Sequence, residues 1–253
     1  MHLTTVILIF TSFLTNLVSA IPLTKRAPAT VIESCSVPGT FALSFDDGPN
    51  AYTWELIKYL NQENIKATFF INGNNTVDVS TGSTNTPDGV KTYLDHIRLM
   101  HEHGHQVASH TNHHVHLDAS SPETIRLEMN QVSDIIYSAI QLRPRYMRPP
   151  YGERNDNTLA VLGELKYQVI TWDVDPNDYN QTIPYETKQS TVSTSLDQEQ
   201  NTPPTSSHII LMHDIHQQTV QELTPFVIEK VRTKGYKFTT VAECLNDSNP
   251  YTT

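Results

Sequence analysis

Short apolar, β-branched and aromatic runs recur along the chain at residues 40–45 (TFALSF), 67–71 (ATFFI), 106–110 (QVASH), 145–149 (RYMRP), 167–174 (YQVITWDV), 208–213 (HIILMH) and 237–243 (KFTTVAE). Their length and composition predict seven strands. Between most of them, stretches 51–64, 89–104, 121–141, 155–167 and 219–236 space their apolar residues three and four apart, which predicts helices. Ser121 followed by Pro122 supplies an N-cap and a proline at the first helical position. Strands alternating with helices predict parallel βα units. At 253 residues with no internal repeat, they suit one α/β domain, either a barrel one strand short of eight or an open sheet. Two polar stretches interrupt the alternation. Residues 72–89 read as a long loop after the second strand, and 181–207 as a segment with a helix near 185–198 and a Pro-rich exit.

The chain ends carry export signals. Residues 1–20 contain no Asp, Glu, Lys or Arg and finish in Val18, Ser19 and Ala20, the pattern of a secretory signal peptide. The Lys25-Arg26 pair predicts a short propeptide at 21–26, leaving 27–253 as a single domain. No later stretch is apolar for the 18 or more residues that a spanning helix needs, so no membrane anchor is expected. Net charge is -10, and removal of Lys25 and Arg26 with no accompanying acid takes it to -12. Such a surface does not suit nucleic acid or anionic lipid. The two cysteines, Cys35 and Cys244, predict one disulfide across the ends of an exported, monomeric domain, against the alternative of two buried thiols. Sequons at Asn74, Asn180 and Asn246 fit a secreted glycoprotein.

The candidate chemistry begins at SFDDGPN, where Asp46 and Asp47 stand side by side at the end of the first strand. Adjacent residues on an extended chain point to opposite faces, so two carboxylates here can have two tasks. The same residues are also ordinary turn chemistry. In SHTNHHVHL, His110 and His114 are four apart, and on one helical turn they would face the same way and hold a metal; His113 and His116 would point elsewhere. Two His and one acid make an open catalytic metal site, with either Asp46 or Asp47 as the acid. MRPPYG, DVDPNDY and LMHD each follow a predicted strand. In a parallel βα fold those strand ends share one face, which brings together Asp46, Asp47, His110, Arg148, Asp175 and His213. Trp172, inside a predicted strand, is expected in the core. His101, His103 and His105 are expected to be solvated or structural.

These five motifs, in this order, resemble the polysaccharide deacetylases of carbohydrate esterase family 4, and among them the fungal chitin deacetylases, across residues 38–245. SFDDGP stands for the family's Thr-Phe-Asp-Asp-Gly-Pro, HTNHH for His-Ser/Thr-x-x-His, RPPY for Arg-x-Pro-Tyr, DPNDY for Asp-x-x-Asp-Trp/Tyr and LMH for Leu-x-His. The resemblance implies a distorted (β/α) barrel of about seven parallel strands and a metal-dependent hydrolase acting on N-acetyl groups of chitin or chitin oligomers. By it, Asp46 is the general base, and Asp47, His110 and His114 hold zinc or another divalent cation such as cobalt. Arg148 orients Asp46, His213 is the general acid and Asp175 tunes it. The Tyr151 backbone N–H stabilises the oxyanion, and Tyr179 and Leu211 line the acetyl pocket. Activating water for attack needs a polarising cation and a proton acceptor, and the adjacent carboxylates would serve these separately. Ser44 and Tyr179 depart from the commoner Thr and Trp. The same motifs serve acetylxylan esterases and peptidoglycan deacetylases, and a wall-binding, lectin-like protein is the non-enzymatic alternative.

Overall fold

A computed structural model describes residues 26–253; the expected signal peptide and Lys25 lie outside the described residues. Seven strands form one curled, wholly parallel sheet. In chain order they are β1 (Val31–Ile32), β3 (Ser44–Asp46), β4 (Thr68–Ile71), β7 (Gln106–Ser109), β9 (Tyr146–Met147), β10 (Gln168–Ile170) and β12 (Met212–His213). They lie side by side as β1-β10-β9-β7-β4-β3-β12. The result is a half-barrel whose gap is spanned by one isolated parallel bridge, Val174 to Ile210. A smaller parallel sheet, β11-β2-β13, joins β2 (Thr40–Ala42), β11 (His208–Ile209) and β13 (Lys237–Thr239). Two short antiparallel pairs complete the strands: β5 (Ser83–Thr86) with β6 (Gly89–Thr92), and β8 (Arg143–Pro144) with β14 (Tyr251–Thr252).

Seven helices cover the outside: α1 (Thr53–Gln62), α2 (Tyr93–Glu102), α3 (Pro122–Ile140), α4 (Asp156–Glu164), α5 (Tyr185–Asp197), α6 (Thr224–Lys234) and α7 (Val241–Cys244). α1 shows why. Trp54, Leu56, Ile57 and Leu60 are buried and share one stripe, while Glu55 faces solvent. α3 starts where Ser121 predicts, its hydroxyl accepting from Thr124 N. The main core lies between sheet and helices, with Phe45 and Phe69 stacked at 5.4 Å from adjacent strands. Among the described residues no helix is long and apolar enough to cross a membrane.

The strand count agrees with the sequence, but the membership of the sheet differs. β1 was not expected, and residues 237–243 do not enter the large sheet. They give β13, and then a capping box between Thr240 and Glu243 starts α7. TFALSF and HIILMH each divide in two, because β2 and β11 pair in the small sheet while β3 and β12 pair in the large one. The polar loop 72–89 instead holds β5 and the start of a hairpin. Cys35 and Cys244 form the disulfide, with Cα atoms 5.1 Å apart across 209 residues. Sequon residues Asn74 and Asn246 are exposed and Asn180 is half-buried.

Candidate active site

Strand register assembles the site. Asp46 ends β3 and pairs with His213 at the end of β12, so both side chains leave the sheet on the same side. Ser109 pairs with Met147, and the next residues, His110 and Arg148, follow from neighbouring strand ends. A cavity of about 370 Å³ opens over these ends. Asp46, Asp47, His110, His114, Tyr151, Asp175, Tyr179, Leu211 and His213 all line it, as the sequence predicts. Arg148 lies beneath, wholly buried.

Asp46, only 2 % exposed, accepts a 2.7 Å hydrogen bond from Arg148 Nη1, and Arg148 Nη2 donates to Ser44 Oγ (3.0 Å) and the Thr171 carbonyl (3.2 Å). The serine that departs from the family pattern is thus an acceptor for the guanidinium. Burial raises the Asp46 pKa against the opposing charges of Arg148 and His213, which leaves a carboxylate inclined to take a proton. Asp47 turns away with φ 74°, a left-handed backbone uncommon for a non-glycine residue, and its Oδ1 is buried with no hydrogen-bond partner. Gly48 permits this turn, since a Cβ there would overlap the buried carboxylate of Asp214. Burial, joined by repulsion from Asp47 and opposed by a hydrogen bond from Thr53, brings Asp214 up to about 7.

The orphaned Oδ1 of Asp47 lies 3.3 Å from His114 Nε2 and 3.6 Å from His110 Nε2. Two donors each about 2.1 Å from a tetrahedral centre stand about 3.4 Å apart, so the donor set fits a divalent cation. His110 donates through Nδ1 to the Arg148 carbonyl at 2.7 Å, which fixes its ring and turns Nε2 toward Asp47. Burial brings His110 down to about 3, keeping the imidazole neutral and ligand-competent. The expected helical turn is absent: residues 110–116 are a loop, with Thr111 (φ 68°) and His114 (φ 55°) left-handed. Loop curvature, not helical pitch, aligns the two imidazoles. A second set of donors lies outside the cavity lining: His116 and Asp118, both exposed, and the half-buried Glu153.

Across the cavity, His213 donates from Nδ1 to Asp178 Oδ1 (2.8 Å), and its backbone N–H donates to Asp178 Oδ2 (2.7 Å). Thr219 Oγ1 donates to the same oxygen at 2.7 Å. This corrects the expectation that Asp175 holds His213. Asp175 Oδ1 accepts from the Asn177 backbone N–H, closing a local turn, and that turn carries Asp178 into the buried position behind the imidazole. Burial pulls the His213 pKa down, but Asp178, through charge and hydrogen bond, with Asp46 and Asp47, carries it up to about 9. Asp175 remains in the cavity wall, its pKa raised by burial.

Trp172 is also corrected from core to cavity wall. β10 ends at Ile170, and the indole lines the cavity beside Leu211. Tyr179 is 49 % exposed at the mouth, edge-on to the His213 ring at 5.6 Å. His105 is buried and structural, its Nδ1 accepting from Ala67 N. Asp178 and Asp214 were missed as functional candidates although both stand inside quoted motifs.

Residues 34–170 match the family model described as polysaccharide deacetylase. A chitin deacetylase of Pestalotiopsis sp is 36 % identical over 245 residues, spanning 95 % of this chain and 76 % of that protein. One from Colletotrichum lindemuthianum is 35 % identical over 240 residues, 94 % of this chain and 93 % of that protein. The solved structure of the Colletotrichum enzyme superposes with a TM-score of 0.79, covering 89 % of this chain and 96 % of that one.

Proposed function

The chain belongs to the polysaccharide deacetylase family, and from that premise we propose that it hydrolyses N-acetyl groups of N-acetylglucosamine units in chitin, giving acetate and a free amine. One observation carries the reading: an unpartnered buried carboxylate oxygen of Asp47 beside the imidazoles of His110 and His114 faces, across one cavity, an Arg-held carboxylate and an Asp-held imidazole. A binding module would need neither of the last two.

Asp47, His110 and His114 would hold the cation. Zinc is the first choice for two imidazoles and a carboxylate, with cobalt a workable substitute. A cation bound there supplies Lewis-acid polarisation and lowers the pKa of water. Asp46 takes the proton from the attacking water, its free oxygen aimed by the Arg148 bond on the other. The Tyr151 backbone N–H donates to the oxyanion of the tetrahedral intermediate. His213, protonated at neutral pH, gives its proton to the leaving nitrogen as the amide bond breaks. Leu211, Trp172 and the edge of Tyr179 surround the acetyl methyl.

Secretion to the extracellular space or cell wall accords with the disulfide and the acidic composition. The test is to incubate purified, zinc-loaded protein with chitin oligomers, acetylxylan and peptidoglycan and measure acetate. Release from chitin oligomers well above the others is expected; release from acetylxylan or peptidoglycan alone would overturn the chitin assignment.

A further inference from the structure

The residue that would donate to the oxyanion is held in an unfavourable conformation. Tyr151 has φ 58° and ψ 6°, a left-handed backbone that costs an L-residue on the order of 1 kcal/mol, so its surroundings must enforce it. The hydrogen bonds of its turn run from Gly152 N to Pro149 O and from Glu153 N to Pro150 O, and neither uses the N–H of Tyr151. The turn is tight on its inner side, where a Cβ on Gly152 would lie 3.1 Å from the Trp172 ring. On its outer side Tyr151 is 56 % exposed, and two histidine rings meet its own. It stacks face to face on His116, centroids 4.2 Å apart and planes within 8°. His116 in turn is fixed by Glu153, with Nδ1 to Oε2 at 2.6 Å, and the Ser120 hydroxyl donates to its carbonyl. The His114 ring meets Tyr151 edge-on at 4.6 Å. Glu153, His116 and Tyr151 therefore form a closed brace between the 149–153 turn and the loop that carries His110 and His114.

We propose that His116 and Glu153 are positioning residues for the deacetylation: Glu153 orients the imidazole, and its flat face clamps the Tyr151 ring so that the left-handed backbone keeps its N–H aimed into the cavity. The inference rests on the deacetylase reading and adds to it two residues outside the family motifs. It explains why an exposed histidine two residues past a ligand position turns from the metal site and lies flat on the Tyr151 ring. Since the N–H acts on charge that develops only in the transition state, loosening it lowers kcat and leaves KM nearly unchanged.

The experiment compares wild type, His116→Ala, His116→Phe and Glu153→Ala, all zinc-loaded, for kcat and KM on a chitin oligomer, bound zinc and Tm. Loss of a whole oxyanion donor costs about 10² to 10³ in rate, and a misaimed one should cost about tenfold. His116→Ala is expected to lose about tenfold in kcat with KM within about twofold and with wild-type zinc content and Tm. Glu153→Ala should fall between it and wild type. His116→Phe keeps the stack without the imidazole and should retain about half of wild-type kcat or more. The proposal is overturned if His116→Ala keeps wild-type kcat, if its loss follows zinc or Tm, or if His116→Phe falls as far as His116→Ala. Wild-type protein inactive on every acetylated polymer would instead overturn the deacetylase reading beneath it.

Discussion

A carboxylate that binds one histidine through both backbone and side chain controls where that histidine stands and when it ionises. Asp178 does this for His213, which remains protonated until the pH rises through about 9. The raised pKa means that the acid form is fully present at neutral pH and is lost on the alkaline side. Asp178→Asn removes the charge, lets burial dominate, and should move the basic limb of the kcat profile down by about 1 to 3 pH units. Asp175→Asn should leave that limb in place; a shift equal to that of Asp178→Asn would restore Asp175 to the role expected of it. The motif DPNDY exposed both acids to view in the sequence, but only the Asn177 turn decides which one is carried behind the imidazole. Asp46, Asp47, His110, Arg148 and His213 were legible because each ends a strand or directly follows one, and strand ends on one face must meet. Asp214 was not, because what marks it is its approach to the backbone of Gly48, and no spacing encodes that.

Among the elements, those with a strong local signal were legible and those defined by partners were not. α1 and α3 follow from their apolar stripes and, for α3, from Ser121-Pro122. The division of TFALSF between two sheets depends on which strands approach it, which the run itself does not contain. The Thr240–Glu243 capping box was readable in KFTTVAE but lost to the β-branched run before it. Thr240→Ala should destabilise the domain by about 1 kcal/mol, measured by urea unfolding, since the hydroxyl caps Glu243 N. The loop leaving β4 reaches the DDGPN turn, where Asn50 Nδ2 donates to Thr76 Oγ1 at 2.8 Å. Shortening residues 74–80 should therefore alter the preference for oligomer length more than Tm, and an unchanged oligomer profile would show that this loop does not border the bound chain.

On the scale of the whole molecule, the Cys35–Cys244 bond closes a loop of 209 residues and ties the segment entering β2 to α7. Reduction, or replacement of both cysteines by serine, should lower unfolding free energy by about 2 to 5 kcal/mol. Retained stability in the double variant would show that the sheet alone holds the ends. The half-barrel itself serves chemistry by converging five strand ends, those of β3, β7, β9, β10 and β12, on one cavity and leaving a single bridge at its gap. In the proposed mechanism, adjacent carboxylates at the end of one strand divide two tasks, Asp46 moving the proton and Asp47 holding the metal. Zinc content and acetate release, measured together on Asp46→Asn and Asp47→Asn, test it most directly. Asp46→Asn should keep zinc and lose about 10²-fold or more in turnover, while Asp47→Asn should lose zinc and regain part of its activity when zinc is in excess. Parallel loss of zinc and activity in both variants, or full activity in either, would contradict the division.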